Sequence, residues 1–208
     1  MLKTILNGVA NWIYKQLRGT CIIHAVANAL EKQTGVVVPE EELVAIYKNF
    51  NNGSLEGMSD RRLLDILQHE PIGGYVVDSY ERVYNIHDFW RDNNNAKKKR
   101  YLRSKLNKVW EALKNDEGTV IFGIYTRKGS TKIKLDEDNY WMPYETEITG
   151  GHYLYLLDDI RTSKRQLKGF RVENSWGEKW GDGGFFNMKL KDFFTEVESV
   201  YTVKFKKI

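Results

Sequence analysis

Along residues 21–33, CIIHAVANALEKQ, apolar side chains fall on almost every side of a helical wheel: Ile22, Ile23, Ala25, Val26, Ala27, Ala29 and Leu30. A helix that is apolar nearly all round leaves no face for water, so the pattern predicts a buried helix. Thr20 stands where an N-cap belongs and Gly35 where a helix stops. A second, short helix is predicted over 39–49, with Pro39 near its start and Leu43, Ile46 and Tyr47 on one face. NNGSLEG at 51–57 reads as a loop. Ser59–Gln68 reads as a third helix with Leu63, Leu64 and Leu67 inward, and 96–114 as a longer amphipathic one striped by Leu102, Leu106, Val109, Trp110 and Leu113.

The pattern then changes period. Thr119–Tyr125 (TVIFGIY) predicts a buried strand, and residues 126–149 a polar loop. His152–Leu157, Gly169–Asn174, Phe185–Leu190 and Ser199–Phe205 read as further strands separated by Gly-rich turns, with His152 opening its strand behind Gly150-Gly151. Helices followed by strands predict an α+β protein. The 208 residues are expected to form one domain of two lobes, a helical lobe over about 1–115 and a β-rich lobe over about 116–208, with the change near residue 116.

Composition narrows the class only a little. The formal net charge of +4 is spread over 32 basic and 28 acidic residues, too weak a balance to argue for nucleic acid. The run KKKR at 97–100 lies on a helix whose other face is apolar and lacks interleaved aromatics, so a solvated face is expected. No apolar run is long enough to span a membrane, and MLKTILNGVANWIYKQ lacks the features of a signal peptide. With one cysteine no intrachain disulfide can form, and a cytoplasmic location is the expectation.

That cysteine begins the buried helix. A thiol is a nucleophile only as thiolate, and a helix N-terminus and a nearby imidazolium both favour that form. A lone cysteine is more often a small buried hydrophobe, so Cys21 needs a base brought from elsewhere in the fold. Of the four histidines, His69 and His87 lie in polar surroundings. His24, three residues after Cys21, has apolar neighbours and reads as a core histidine. His152 follows two glycines, which let another chain approach closely. In VENSWGEKWGDGGF at 172–185 the glycines and aromatics are too regularly placed for a generic loop. An Asn beside the base can accept the imidazole N–H and fix its tautomer, and a following Trp can shield that bond.

NSWGEKWGDGGF is similar to the Asn segment of papain-family cysteine peptidases, GGHYLYLLD to their histidine strand and GTCIIHAVANALE to their cysteine helix, in the same order along the chain. TVIFGIY and WMPYE also resemble the strand and loop before the histidine in bacterial-type members. The resemblance covers most of residues 10–205 and implies a papain-like fold, with Cys21 as nucleophile, His152 as base, Asn174 as its orienting partner and Trp176 as their cover. It implies a cysteine endopeptidase acting through a thioacyl-enzyme, on peptide or protein substrates, with no metal, cofactor, nucleic acid or membrane. Papain-like aminopeptidases, amidases, transpeptidases and non-catalytic peptide-binding modules remain as alternatives. Gly57, Met58, Gly151 and Trp176 are the expected substrate-binding positions.

Three departures stand out. The family carries a Gln six residues before the Cys, whereas here Lys15 holds that place and Gln16 stands five before. A Gln amide donates to an oxyanion without adding charge, so Gln16 is expected to be the donor. The aromatic that usually follows the Cys is Ile22. Most members also carry a long inhibitory propeptide, whereas Cys21 is preceded by 20 residues, so the expectation is either a mature form or an enzyme made without one.

Overall fold

The structure is a computed structural model that describes residues 3–6, 9–12, 19–91, 95–114, 118–127, 134–142 and 147–208. Two short strands, β1 (Lys3–Leu6) and β2 (Val9–Trp12), pair antiparallel ahead of the helices. Helix α1 (Cys21–Thr34) is buried from Ile22 to Glu31, as its all-round apolar wheel requires. Each large aliphatic of that face contributes about 1.5–3 kcal/mol by leaving water. Thr20 stands at its N-cap position without a side-chain cap bond, and Gly35 ends it at φ 75° with its N–H donating to Glu31 O. Helix α2 (Glu40–Phe50) follows Pro39 and opens with three glutamates, the charge that a helix N-terminus favours. Helix α3 (Asp60–Leu67) buries Leu63, Leu64 and Leu67.

The expected order of helices then strands is broken by β3 (Tyr75–Asn85), an edge strand carried in the first half of the chain. Its burial does not alternate cleanly, because register shifts fall at Val77/Ser79 and Arg82/Tyr84. That is why YVVDSYERVYN carries no period-2 signal. A short helix α4 (Ile86–Arg91) and the amphipathic α5 (Asn95–Lys114) follow. Lys97 and Arg100 are exposed along α5, and Lys98 lies 4.9 Å above the exposed Trp90 ring. The predicted lobe change near residue 116 falls outside the described residues.

The remaining strands are β4 (Thr119–Arg127), β5 (Ile148–Arg161), β6 (Leu167–Glu173), β7 (Phe185–Lys189) and β8 (Val197–Lys207), with α6 (Leu190–Glu196) between the last two. They form a six-stranded antiparallel sheet in the order β3-β8-β4-β5-β6-β7. Part of the predicted 126–149 loop is held to this sheet. Asn187 N–H donates 2.8 Å to Asn139 O, Trp141 N–H donates 2.8 Å to Asn187 O, and Lys189 pairs with Asp136 at 3.0 Å.

Both faces of the sheet are covered, and strand parity divides β5 between them. Tyr155 and Leu157 turn toward α1–α3, where Tyr201, Val203 and Phe205 complete one core with Leu30, Leu43 and Leu64. Leu154 and Leu156 turn the other way, into a second core with Phe122, Phe170, Phe186 and Phe193. The helix that starts at Cys21 therefore lies directly on the strand that carries His152.

Candidate active site

Cys21 is the first residue of α1, where unpaired backbone N–H groups favour negative charge. Burial raises its thiol pKa, and the N–H groups of Tyr153, Ile22 and Cys21 itself oppose that by stabilising the thiolate. The bond from Tyr153 brings β5 against the nucleophile. Just upstream, the chain passes close to the loop at 54–59. Gly19 N–H donates 2.9 Å to Leu55 O, and a Cβ on Gly19 would stand 2.6 Å from Gly57 N.

His152 lies inside a strand that starts at Ile148, four residues earlier than expected, because Gly150 and Gly151 pair with Thr126 and Tyr125 of β4. Its side chain is 3% exposed, and burial, the largest cause, pulls its pKa down to about 4. The Asn174 bond raises it, and His24 nearby lowers it further. His152 Nε2–H donates to Asn174 Oδ1 at 2.7 Å. An amide oxygen only accepts, so this bond assigns the proton to Nε2 and leaves Nδ1 able to take one.

Asn174 follows the last residue of β6, and its own N–H donates 2.9 Å to Gly184 O, which fixes the turn that presents it. The indole of Trp176 stacks on the His152 ring, centroids 4.5 Å apart at 27°. Trp180 supports it edge-on at 5.3 Å and rests in turn on Phe186 at 5.5 Å. The segment that looked too regular for a loop is thus a layered aromatic cover over the imidazole.

His24 is fully buried, with Nδ1 2.7 Å from Thr20 O and Nε2 2.9 Å from Glu40 Oε1. Both ring nitrogens are engaged in joining the starts of α1 and α2, as expected of a core histidine. His69 and His87 are exposed. Gly57 is exposed, Met58 packs against the α1–α3 core, and Gly151 is exposed on β5. Gln16 and Lys15 lie outside the described residues. Among the described residues no cluster of His, Cys, Asp or Glu is placed to hold a metal ion, and no helix is long and apolar enough to cross a membrane.

Sequence reasoning missed two polar groups at this site. One is Glu173, fully buried beside Asn174, whose carboxyl is held well above the usual range by burial and then by Glu31. The other is Tyr153 with its partner Asp60. Both lie inside segments the sequence singled out, VENSWG and GGHYLYLLD, but the groups they meet, Glu31 and Asp60, stand on distant elements.

No family model matches the chain. An uncharacterized peptidase C1-like protein of Acanthamoeba polyphaga mimivirus is 38% identical over 74 residues, which is 36% of this chain and 22% of that protein. Similarity of structure extends much further. Xylellain, a cysteine protease from Xylella fastidiosa, superposes with a TM-score of 0.63 at 17% identity, over 92% of this chain and 82% of its own. Procathepsin B from Trypanosoma congolense gives 0.59 at 10% identity, over 95% and 72%. The bromelain protease of Ananas comosus gives 0.57 at 13% identity, over 93% and 94%. With more than nine-tenths of its length superposed on each of these proteases, the chain has the papain-like fold.

Proposed function

We propose that this chain is a cysteine endopeptidase that hydrolyses peptide bonds through Cys21, His152 and Asn174. The observation that supports the reading best is the 2.7 Å bond from His152 to Asn174 beneath Trp176, on the strand whose Tyr153 N–H faces the Cys21 sulfur. A merely structural cysteine needs none of these. The curated relative's peptidase C1-like name and the cysteine proteases of the same fold point the same way.

In this mechanism His152 Nδ1 takes the thiol proton, and the thiolate attacks the scissile carbonyl carbon. Burial opposes each charge alone, raising the thiol and lowering the imidazole, so in this mechanism the charged pair forms only by direct transfer of the thiol proton to Nδ1. The Cys21 N–H at the head of α1 donates to the oxyanion, and Gln16 is proposed as the side-chain donor on the chemical ground given above. The imidazolium gives its proton to the departing amine, leaving a thioester on Cys21. Water, deprotonated by His152, then releases the acid. Asn174 holds the ring in one tautomer throughout, and Trp176 keeps water from that bond.

Replacing Cys21 with Ala tests the reading. The variant is expected to fold with a stability within about 1 kcal/mol of wild type, since one sulfur is lost at a half-buried position. It should release no fluorophore from peptide substrates and take up no iodoacetamide. Peptide hydrolysis at the wild-type rate by Cys21→Ala would overturn the assignment.

A further inference from the structure

The net charge of +4 conceals an uneven distribution. Helix α5, NAKKKRYLRSKLNKVWEALK, holds eight lysines and arginines against the single acid Glu111, a charge of +7. Removing these from the chain's 32 basic and 28 acidic residues leaves 24 and 27, so the rest of the chain is negative. The apolar stripe of α5 is already used. Val109 is buried in the second core, and Leu102, Leu106 and Leu113 pack against it. That turns the opposite side outward, where Lys97, Arg100, Arg103 and Lys108 are exposed. From Lys97 to Lys108 they span about 16 Å of helix, at ~1.5 Å per residue. Lys108 pairs with Glu81 of β3.

The aromatic groups that KKKR lacks in the sequence are supplied by the fold. Trp90, on α4, is 58% exposed, and its ring meets Phe89 edge-on at 5.1 Å. Lys98 Nζ stands 4.9 Å from the Trp90 centroid and 5.0 Å from that of Phe89, which joins the indole to the basic helix. Farther along α5, Lys105 lies 5.0 Å over Tyr101 and Lys114 lies 3.5 Å over Trp110. A row of cations thus runs beside a large ring that the protein leaves in water, and such a combination marks a surface that meets something else.

These features sort the anionic partners. Single-stranded nucleic acid binds along a groove and stacks its bases on open ring faces. Here the cations lie on the outer side of a helix, and lysines stand over the rings of Trp90, Tyr101 and Trp110. An acidic protein segment meets the charge but is poor in apolar groups and offers the indole no layer to enter. An anionic bilayer supplies both, phosphates and carboxylates for the cations and, just below them, the boundary where an indole settles. We propose that Trp90 and the outer side of α5 dock this protein on an anionic membrane surface, with Lys97, Lys98, Arg100 and Arg103 at the headgroups and the Trp90 indole between them. The helix lies on the surface without entering it, because its apolar stripe is held in the core. A few cations or one indole alone hold weakly; together they give reversible binding. The proposal departs from the expectation of no membrane that came with the papain resemblance, and it does not rest on the peptidase reading.

The test is flotation of the full chain with vesicles of phosphatidylcholine alone and of phosphatidylcholine mixed with phosphatidylserine. Affinity for the mixed vesicles is expected to be at least about tenfold higher at low salt and to fall as salt screens the charges. Arg100→Gln and Arg103→Gln should each lower that affinity about fivefold, the effect of one cation near such a surface. Trp90→Ala should weaken binding and leave its salt dependence unchanged. All three positions are exposed, so melting curves close to wild type are expected and serve as the check on folding. Equal affinity of the wild-type protein for both kinds of vesicle at low salt would overturn the proposal. So would folded arginine or Trp90 variants that bind as the wild type does. A protein that ignores the mixed vesicles but retards a single-stranded RNA, or binds polyglutamate, would overturn it as well and would assign the surface to that partner.

Discussion

Two histidines lie near Cys21, and their partners assign them different work. His24 has a backbone carbonyl on one nitrogen and Glu40 on the other, so no nitrogen is left for a thiol proton. His152 has one nitrogen on Asn174. His24→Ala should therefore cost about 2–4 kcal/mol of stability, from a cavity and the lost side-chain bonds to Thr20 O and Glu40, while any folded fraction keeps thiol reactivity. His152→Ala should melt closer to wild type and lose alkylation of Cys21 at pH 6. A folded but inert His24→Ala protein would reverse the two assignments. Asn174→Ala frees the imidazole to turn but leaves the peptide groove untouched. Its kcat should fall by about 10-fold or more with KM nearly unchanged, in steady-state kinetics on one fluorogenic peptide. An unaltered kcat would remove Asn174 from the mechanism. At this scale the sequence was most legible, because NSWG, the Gly-Gly-His strand and the helix-start cysteine are local patterns. Tyr153 and Glu173 were not, since their importance comes from Asp60, 93 residues away, and from Glu31 on α1.

The helices α1, α2, α3 and α5 were read within one or two residues, because each has an apolar stripe that its own sequence displays, whereas the six-residue α4 was missed. The strands were harder. β5 and β8 extend beyond the predicted spans, since pairing with a neighbour continues a strand past the end of its apolar run. β3 was missed because its bulges spoil the alternation, and α6 because seven residues are too few to show a period. Gly19 shows how closely two elements meet at the nucleophile. A methyl there would stand 2.6 Å from Gly57 N and 2.8 Å from Glu56 C, both backbone atoms with nowhere to rotate. Gly19→Ala must push the 54–59 loop away from the start of α1. We expect a loss of about 1–3 kcal/mol in chemical denaturation, with reduced turnover in the protein that still folds. A Gly19→Ala protein as stable and active as wild type would mean that the loop yields freely and positions nothing.

Across the whole molecule, one core joins α1–α3 to the sheet, and Glu173 is buried among its polar exceptions. Burial and then Glu31 make its carboxyl keep the proton to higher pH in the folded protein, whereas the unfolded chain releases that proton near the ordinary value of 4.5. The folded state thus holds more protons above that pH, and this group's effect is that stability falls as pH rises. Glu173→Gln, an amide of the same shape, removes the effect. Melting curves of the two proteins should nearly coincide near pH 4 and then separate in favour of the variant, at up to about 1.4 kcal/mol per pH unit. Curves that stay parallel from pH 4 to 8 would show Glu173 titrating as it does when unfolded. The strand order carries a different consequence. β8, residues 197–207, lies between β3 and β4, so the sheet cannot close until those residues can pair. During synthesis the cysteine helix leaves the ribosome first and the inserted strand far later. While residues 22–207 are being made, the nascent chain therefore carries the Cys21 thiol without the closed sheet. If the chain is a peptidase, the order of its strands delays the appearance of hydrolytic activity until residue 207 has been made and released.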